Sequence, residues 1–149
     1  MKKLLIAGAL LAATFSMVLG ASAAPVSTLS TIATQYGMTL THDGFDVQVY
    51  TPTFTTNDPT ETITVSGWQL FEPDASYTPK IKYSAVKKGT FSDTVYSSTT
   101  VDGKYTGSSW FAARQLPSMP NGSGKAVRIN MTTGNYNKLK LGGNVYDGL

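Results

Sequence analysis

The sequence contains no cysteine. That excludes a disulfide framework and a lipid-bearing lipobox, so the chain must be held by its core alone. Histidine is nearly absent, with His42 the single copy. A Ser-His-acid enzyme would rest on that one ring, and no G-x-S-x-G nucleophile motif accompanies it. Lys and Arg are missing from the whole stretch Ala24–Pro79, which carries the acids Asp43, Asp46, Asp58, Glu61, Glu72 and Asp74. Long apolar runs are missing everywhere except at the start. Toward the end, Leu116-Pro117-Ser118-Met119-Pro120 lacks the Thr-Gly pair of a sortase signal, and "LGGNVYDGL" is polar and Gly-rich.

The one apolar run has a specific form. Lys2 and Lys3 precede Leu4–Leu19, and Ala21-Ser22-Ala23 follows. A short positive region, an apolar stretch and small residues make a secretory signal of bacterial form, with cleavage expected after Ala23. A spanning helix would stay apolar where this segment turns to Ala, Ser and Gly. The expected mature chain, 24–149, has no transmembrane segment. A domain of that size buries roughly two-thirds of its unfolded surface. The expected localisation is extracellular, free or non-covalently associated with the cell envelope.

The formal charge of +3 includes Lys2 and Lys3, and the rest of the chain carries ten bases against nine acids. Such balance argues against nucleic-acid binding, which needs a basic footprint. The distribution is uneven, since all ten of those bases fall between Lys80 and Lys140. Two halves of one fold that attract each other explain this, as does an anionic partner.

What is abundant is Thr, Ser, Tyr and Val, punctuated by turns, which is strand composition. Phe45, Val47 and Val49 alternate with Asp46, Gln48 and Tyr50, and Ile63 and Val65 alternate with threonines. Ile81, Tyr83 and Ala85 oppose Lys80, Lys82 and Ser84. Val127, Ile129 and Met131 oppose Arg128 and Asn130, and Leu139 and Leu141 oppose Lys138 and Lys140. Period two marks half-buried strands. Asp102-Gly103 suits a two-residue hairpin turn. Gly67 stands where the apolar parity passes from Val65 to Trp68 and Leu70, which predicts a bulge or bend. Leu29, Ile32, Ala33 and Tyr36 have helical spacing between Ser27 or Thr28 and Gly37, so residues 24–40 read as a short helix or a flexible lead. The remainder, 41–149, reads as one all-β domain, an antiparallel β-sandwich.

The segments "ETITVSGWQL" and "VDGKYTGSSWFAARQLPSMPNGSGKAVRINM" resemble, in rhythm, the strand-turn-strand pattern of bacterial immunoglobulin-like modules. The resemblance implies an immunoglobulin-like sandwich that binds or spaces rather than catalyses.

Several motifs need weighing. "GSGK" at Gly122–Lys125 imitates a phosphate loop, but Met119 stands where the first Gly belongs, Ala126 where Ser or Thr belongs, and a strand pattern follows instead of a helix. His42, Asp43 and Asp46 lack metal-ligand spacing. Calcium on Asp43, Asp46, Asp58 or Glu61 is the weaker alternative to plain turns, so no metal and no cofactor are assigned. Glu61, Glu72 and Asp74 near Trp68 and Phe71 are the acids available to a glycosidase, with nothing to fix their geometry. Trp110 and Phe111 are adjacent, so a strand sends them to opposite faces and leaves one less buried. Trp110 with Arg114 is one candidate contact pair. Lys80, Lys82, Lys138 and Lys140 form a basic stripe if their strands are neighbours, suited to an anionic wall polymer. Edge lysines that block sheet aggregation are the alternative. Neither phase of the Phe91–Thr100 segment is a convincing lipid face.

The expected function is a secreted, non-enzymatic binding protein, extracellular or envelope-associated, whose partner is an anionic wall polymer or another protein. An antimicrobial or toxin-like protein is the second expectation and a small hydrolase the third.

Overall fold

The computed structural model describes residues 31–41, 46–72, 77–131 and 138–148. Residues 1–23, read above as a secretory signal, residues 24–30 of the lead, His42, Asp43 and Asp74 lie outside the described residues. Every regular element among them is a strand: β1 (Thr31–Thr41), β2 (Val47–Tyr50), β3 (Phe54–Thr56), β4 (Ile63–Glu72), β5 (Lys80–Lys87), β6 (Thr94–Asp102), β7 (Phe111–Leu116), β8 (Gly122–Met131) and β9 (Lys138–Asp147). No helix among the described residues is long and apolar enough to cross a membrane.

The strands form two antiparallel sheets. One runs β1-β9-β4-β7; the other runs β2-β8-β5-β6, with β3 also on β8. Alternation assigns one face of each to a shared core. Ile63, Val65, Phe71, Leu139 and Leu141 from the first sheet cluster with Ile81, Tyr83, Val127, Ile129 and Met131 from the second. Each fully buried Ile or Leu contributes roughly 1.5–3 kcal/mol. An aromatic seam ties the sheets: the Tyr83 ring lies 6.4 Å from Tyr36 and 5.6 Å from Phe111 on the other sheet. Such tilted pairs add to simple burial.

The strand patterns at Val47–Tyr50, Ile63–Val65, Lys80–Ala85, Val127–Met131 and Leu139–Leu141 all fall within strands. "GSGK" opens β8 and no helix follows it. The immunoglobulin strand order is not the one observed. There the first two strands are neighbours in one sheet; here β1 lies beside β9, and β2 belongs to the other sheet. The helical spacing at Ile32, Ala33 and Tyr36 falls in β1, whose residues pair with β9 from Thr31↔Asp147 to Thr41↔Lys138. The sheet thus begins by Thr31, ahead of the boundary expected at residue 41.

Two local expectations change. β4 keeps one parity: Val65, Gly67, Gln69 and Phe71 are all buried, while Trp68 and Leu70 are half-buried on the other face. The irregularity expected at Gly67 does fall between Val65 and Gly67, with the extra residue on the partner strand: β7 takes three steps, from Phe111 to Arg114, against two steps of β4. Gly67 is required for another reason. A Cβ there would stand 2.3 Å from the Gly142 carbonyl oxygen and 2.6 Å from Tyr36 Oη. Gly103 does adopt a positive φ of 132°, but no two-residue hairpin forms. After Asp102 the chain leaves β6 and crosses to β7 in the other sheet.

Buried Gln69 secures that crossing. Its Nε2 donates to the carbonyls of Val101 at 3.0 Å and Gly103 at 3.1 Å, and its Oε1 accepts from Tyr83 Oη at 3.0 Å. Its backbone exchanges two further bonds with Tyr105.

Candidate functional site

Register builds the site on the outer face of the five-stranded sheet. Val47 and Val49 of β2 lie opposite Met131 and Ile129 of β8 and pack against the core. Gln48 and Tyr50 must then point outward, opposite Asn130 and Arg128. The rows continue across β5, where Asn130 faces Lys82 and Arg128 faces Ser84.

The six residues between β5 and β6, Lys88 to Asp93, complete the site. They line a cleft of about 380 Å³ together with Gln48, Tyr50 and Arg128. Beneath this end of the sheet, Val86 and Ala126 oppose each other on the outer phase and are fully buried.

A directed chain of hydrogen bonds runs through the site. Asn130 Nδ2 donates to Gln48 Oε1 at 3.3 Å, Gln48 Nε2 to Tyr50 Oη at 2.6 Å, and Tyr50 Oη to Asp93 Oδ2 at 2.7 Å. Arg128 Nη1 reaches the same carboxylate oxygen at 3.3 Å, where the Asp93 side chain keeps 8% of its exposure. Linked bonds of this kind polarise one another. The Tyr50 hydroxyl, with the Gly89 amide and Arg128, holds the Asp93 carboxyl below its ordinary range, against the opposing effect of burial. The same carboxylate pushes the Tyr50 phenol up.

Lys88 places its ammonium 4.6 Å from the centre of the Tyr50 ring, a cation–π contact. Its amide reaches the Gly124 carbonyl at 3.4 Å. Arg128 Nε is buried without a partner. Phe91 lines the cleft and is fully exposed. Asp93 thus pins one end of a short loop that holds an aromatic ring out into solvent.

The residues singled out from the sequence are spread over the molecule. β5 lies in one sheet and β9 in the other, so Lys80, Lys82, Lys138 and Lys140 do not form one stripe. Lys82 stands in the row next to the cleft, opposite Asn130, and Lys80 stands opposite Asp102. Lys140 pairs with Glu72 at 2.5 Å, and Lys138 lies opposite Glu72 in register. Trp110 is 41% exposed while Phe111 is buried, as adjacency requires. The Trp110 indole donates to the Gly107 carbonyl at 2.9 Å. Arg114 is exposed on β7, opposite Val65. Neither residue lines the cleft.

Phe71 belongs to the core and so offers no stacking surface beside Glu61 and Glu72. Among the described residues no three His, Asp or Glu side chains gather where they could hold a metal ion. The cleft residues were visible only as polar-phase positions. The signal that marks them is a Gly-containing loop, Lys88 to Asp93, with an apolar residue at its centre.

No family model matches the chain, and no curated protein matches it. Among solved structures, the chain is similar to a chain in the structure of infectious bursal disease virus, Gt strain, with a TM-score of 0.40 and 10% identity. The match covers 78% of this chain and 30% of the viral chain's length.

Proposed function

We propose that this is a secreted, non-enzymatic binding protein, extracellular or associated with the cell envelope, that engages its partner through the outer face of the five-stranded sheet. The observation that carries this reading is the cleft itself. Two strands and one pinned loop converge polar and cationic side chains beside a fully exposed aromatic ring. A solvent-held Phe gains nothing for folding and is suited to contact with something else. For the fold we propose a sandwich of jelly-roll type. With β2 and β3 taken as one interrupted strand on β8, each sheet has four strands among the described residues and the first described strand lies beside the last, consistent with the double-sheet arrangement of jelly rolls.

A second reading, an antimicrobial or toxin-like protein, draws on Phe91 and its neighbours Lys87 and Lys88, all exposed at one end. Co-sedimentation separates the two. The purified protein is mixed with insoluble bacterial cell wall and with anionic liposomes, each at low and high salt. Pelleting with wall at low salt and release at high salt is the expected result, because exposed charge pairs are screened. Pelleting with liposomes that persists in salt favours the second reading. No pelleting with either removes the envelope role.

A further inference from the structure

We propose that the cleft between Tyr50, the Lys88–Asp93 loop and Arg128 binds an acidic sugar unit, a saccharide ring bearing a carboxylate or a phosphate. This rests on the binding reading above and names what the site holds.

The volume of about 380 Å³ falls in the small-molecule range of roughly 300–1,000 Å³. The wall is unlike that of most such sites, because Gln48, Tyr50, Lys88, Ser92, Asp93 and Arg128 present mainly polar groups. An apolar ligand would strip water from these groups and return no hydrogen bonds. A polyhydroxylated ligand returns them. Planar amide and guanidinium groups suit adjacent hydroxyls, and Arg128 spends only Nη1 on Asp93, leaving other donors of its fork.

Charge selects the acid. Arg128 is paired with Asp93, so their charges offset each other. Lys88 has no ion pair among the described residues and lies over Tyr50, which leaves a positive surplus in the cleft. Phe91 selects the ring. A bare anion would leave that exposed aromatic unused, whereas a sugar offers an apolar C–H face to it. The Tyr50, Gly89 and Arg128 contacts to Asp93 hold the loop before any ligand arrives, which lowers the entropy lost on binding.

The test is a titration of the purified protein, followed by amide chemical shifts, with glucose, glucuronate, glucose 6-phosphate and inorganic phosphate. Shifts confined to residues 88–93 and their β2 and β8 neighbours are expected with the acidic sugars, at least about tenfold tighter than with glucose. Which acidic sugar binds better identifies carboxylate or phosphate as the recognised group. Lys88→Gln should abolish the preference for acid, and Phe91→Ala should weaken every sugar. Both side chains are exposed, so the fold remains.

Equal binding of glucose and glucuronate overturns the proposal. So does inorganic phosphate binding as tightly as the sugar phosphate, no response of these amides to any sugar, or a response only to anionic vesicles. The wall co-sedimentation is run beside it. Protein that pellets with wall while its cleft ignores both acidic sugars sinks this assignment and leaves the binding reading standing. Protein that does neither sinks both.

Discussion

At the scale of single residues, buried polar groups set the predictions. Tyr36 Oη is buried with no partner in good hydrogen-bond geometry, and burial pushes its phenol far above the ordinary value, only partly offset by the nearby Tyr83 hydroxyl. An unsatisfied buried hydroxyl costs about 1–3 kcal/mol. Tyr36→Phe should therefore leave stability unchanged or raise it by about 1 kcal/mol, and chemical denaturation that shows a clear loss contradicts this. Gly67→Ala should cost about 1–3 kcal/mol by overpacking, because its Cβ would meet the Gly142 carbonyl and that same hydroxyl. Asp93 predicts a pH dependence. Its carboxyl titrates below the ordinary 3.8, so its stabilisation is complete above that value and is lost as pH falls through the lower folded value. The Tyr50 phenol titrates above 10.0, so its share is complete below that value and is lost as pH rises through the higher folded one. Thermal midpoints of the protein and of Asp93→Asn should differ at neutral pH and converge in strong acid. A constant gap would remove Asp93 as the pin of the loop. That Gln48, Tyr50, Arg128 and Asn130 face outward was legible from alternation. That Tyr50 and Arg128 meet Asp93 was not, because Asp93 lies in a loop, where periodicity says nothing about direction.

At the scale of elements, the sequence misleads where two periods coincide. Ile32, Tyr36 and Leu40 recur every four residues, a spacing that fits one helix face and equally one strand face. Threonines at positions 31, 34, 39 and 41 and an available partner in β9 decide for the strand. In β4, hydrophobicity pointed to Trp68 as the inward residue, yet Gln69 is the one buried. An amide inside is tolerable because the crossing from β6 to β7 brings unpaired carbonyls to it. Nothing local to "SGWQLF" announces carbonyls that arrive from residues 101–103. Gln69→Leu should cost about 3 kcal/mol, since those carbonyls and the Tyr83 hydroxyl would lose their partner in a buried site. Urea denaturation measures it, and a loss below about 1 kcal/mol would mean that water takes over the role. The other strands were legible because half-buried strands announce themselves by alternation. Their pairing was not, and with it went the lysine stripe, since which strands are neighbours is a long-range property.

At the scale of the whole molecule, the two sheets share one cluster of apolar side chains, so neither has a core of its own. Unfolding should be a single transition in which far-ultraviolet circular dichroism and tryptophan emission coincide. Trp68 lies against Gly142 in the four-stranded sheet, so separate transitions would mean that this sheet melts by itself. The all-β composition and the shared core were readable in the sequence, whereas the strand order was not. That order has a consequence for how the sheet is assembled. β9 lies between β1 and β4, so one of the two interior strands of that sheet comes from residues 138–147. β1 has no strand partner among the described residues until that segment has emerged, about a hundred residues later, and such non-local closure is slow. The second sheet and the β4–β7 pair hold no residue of β9 and can form first, so the edge that carries β1 is the last part of the four-stranded sheet to close.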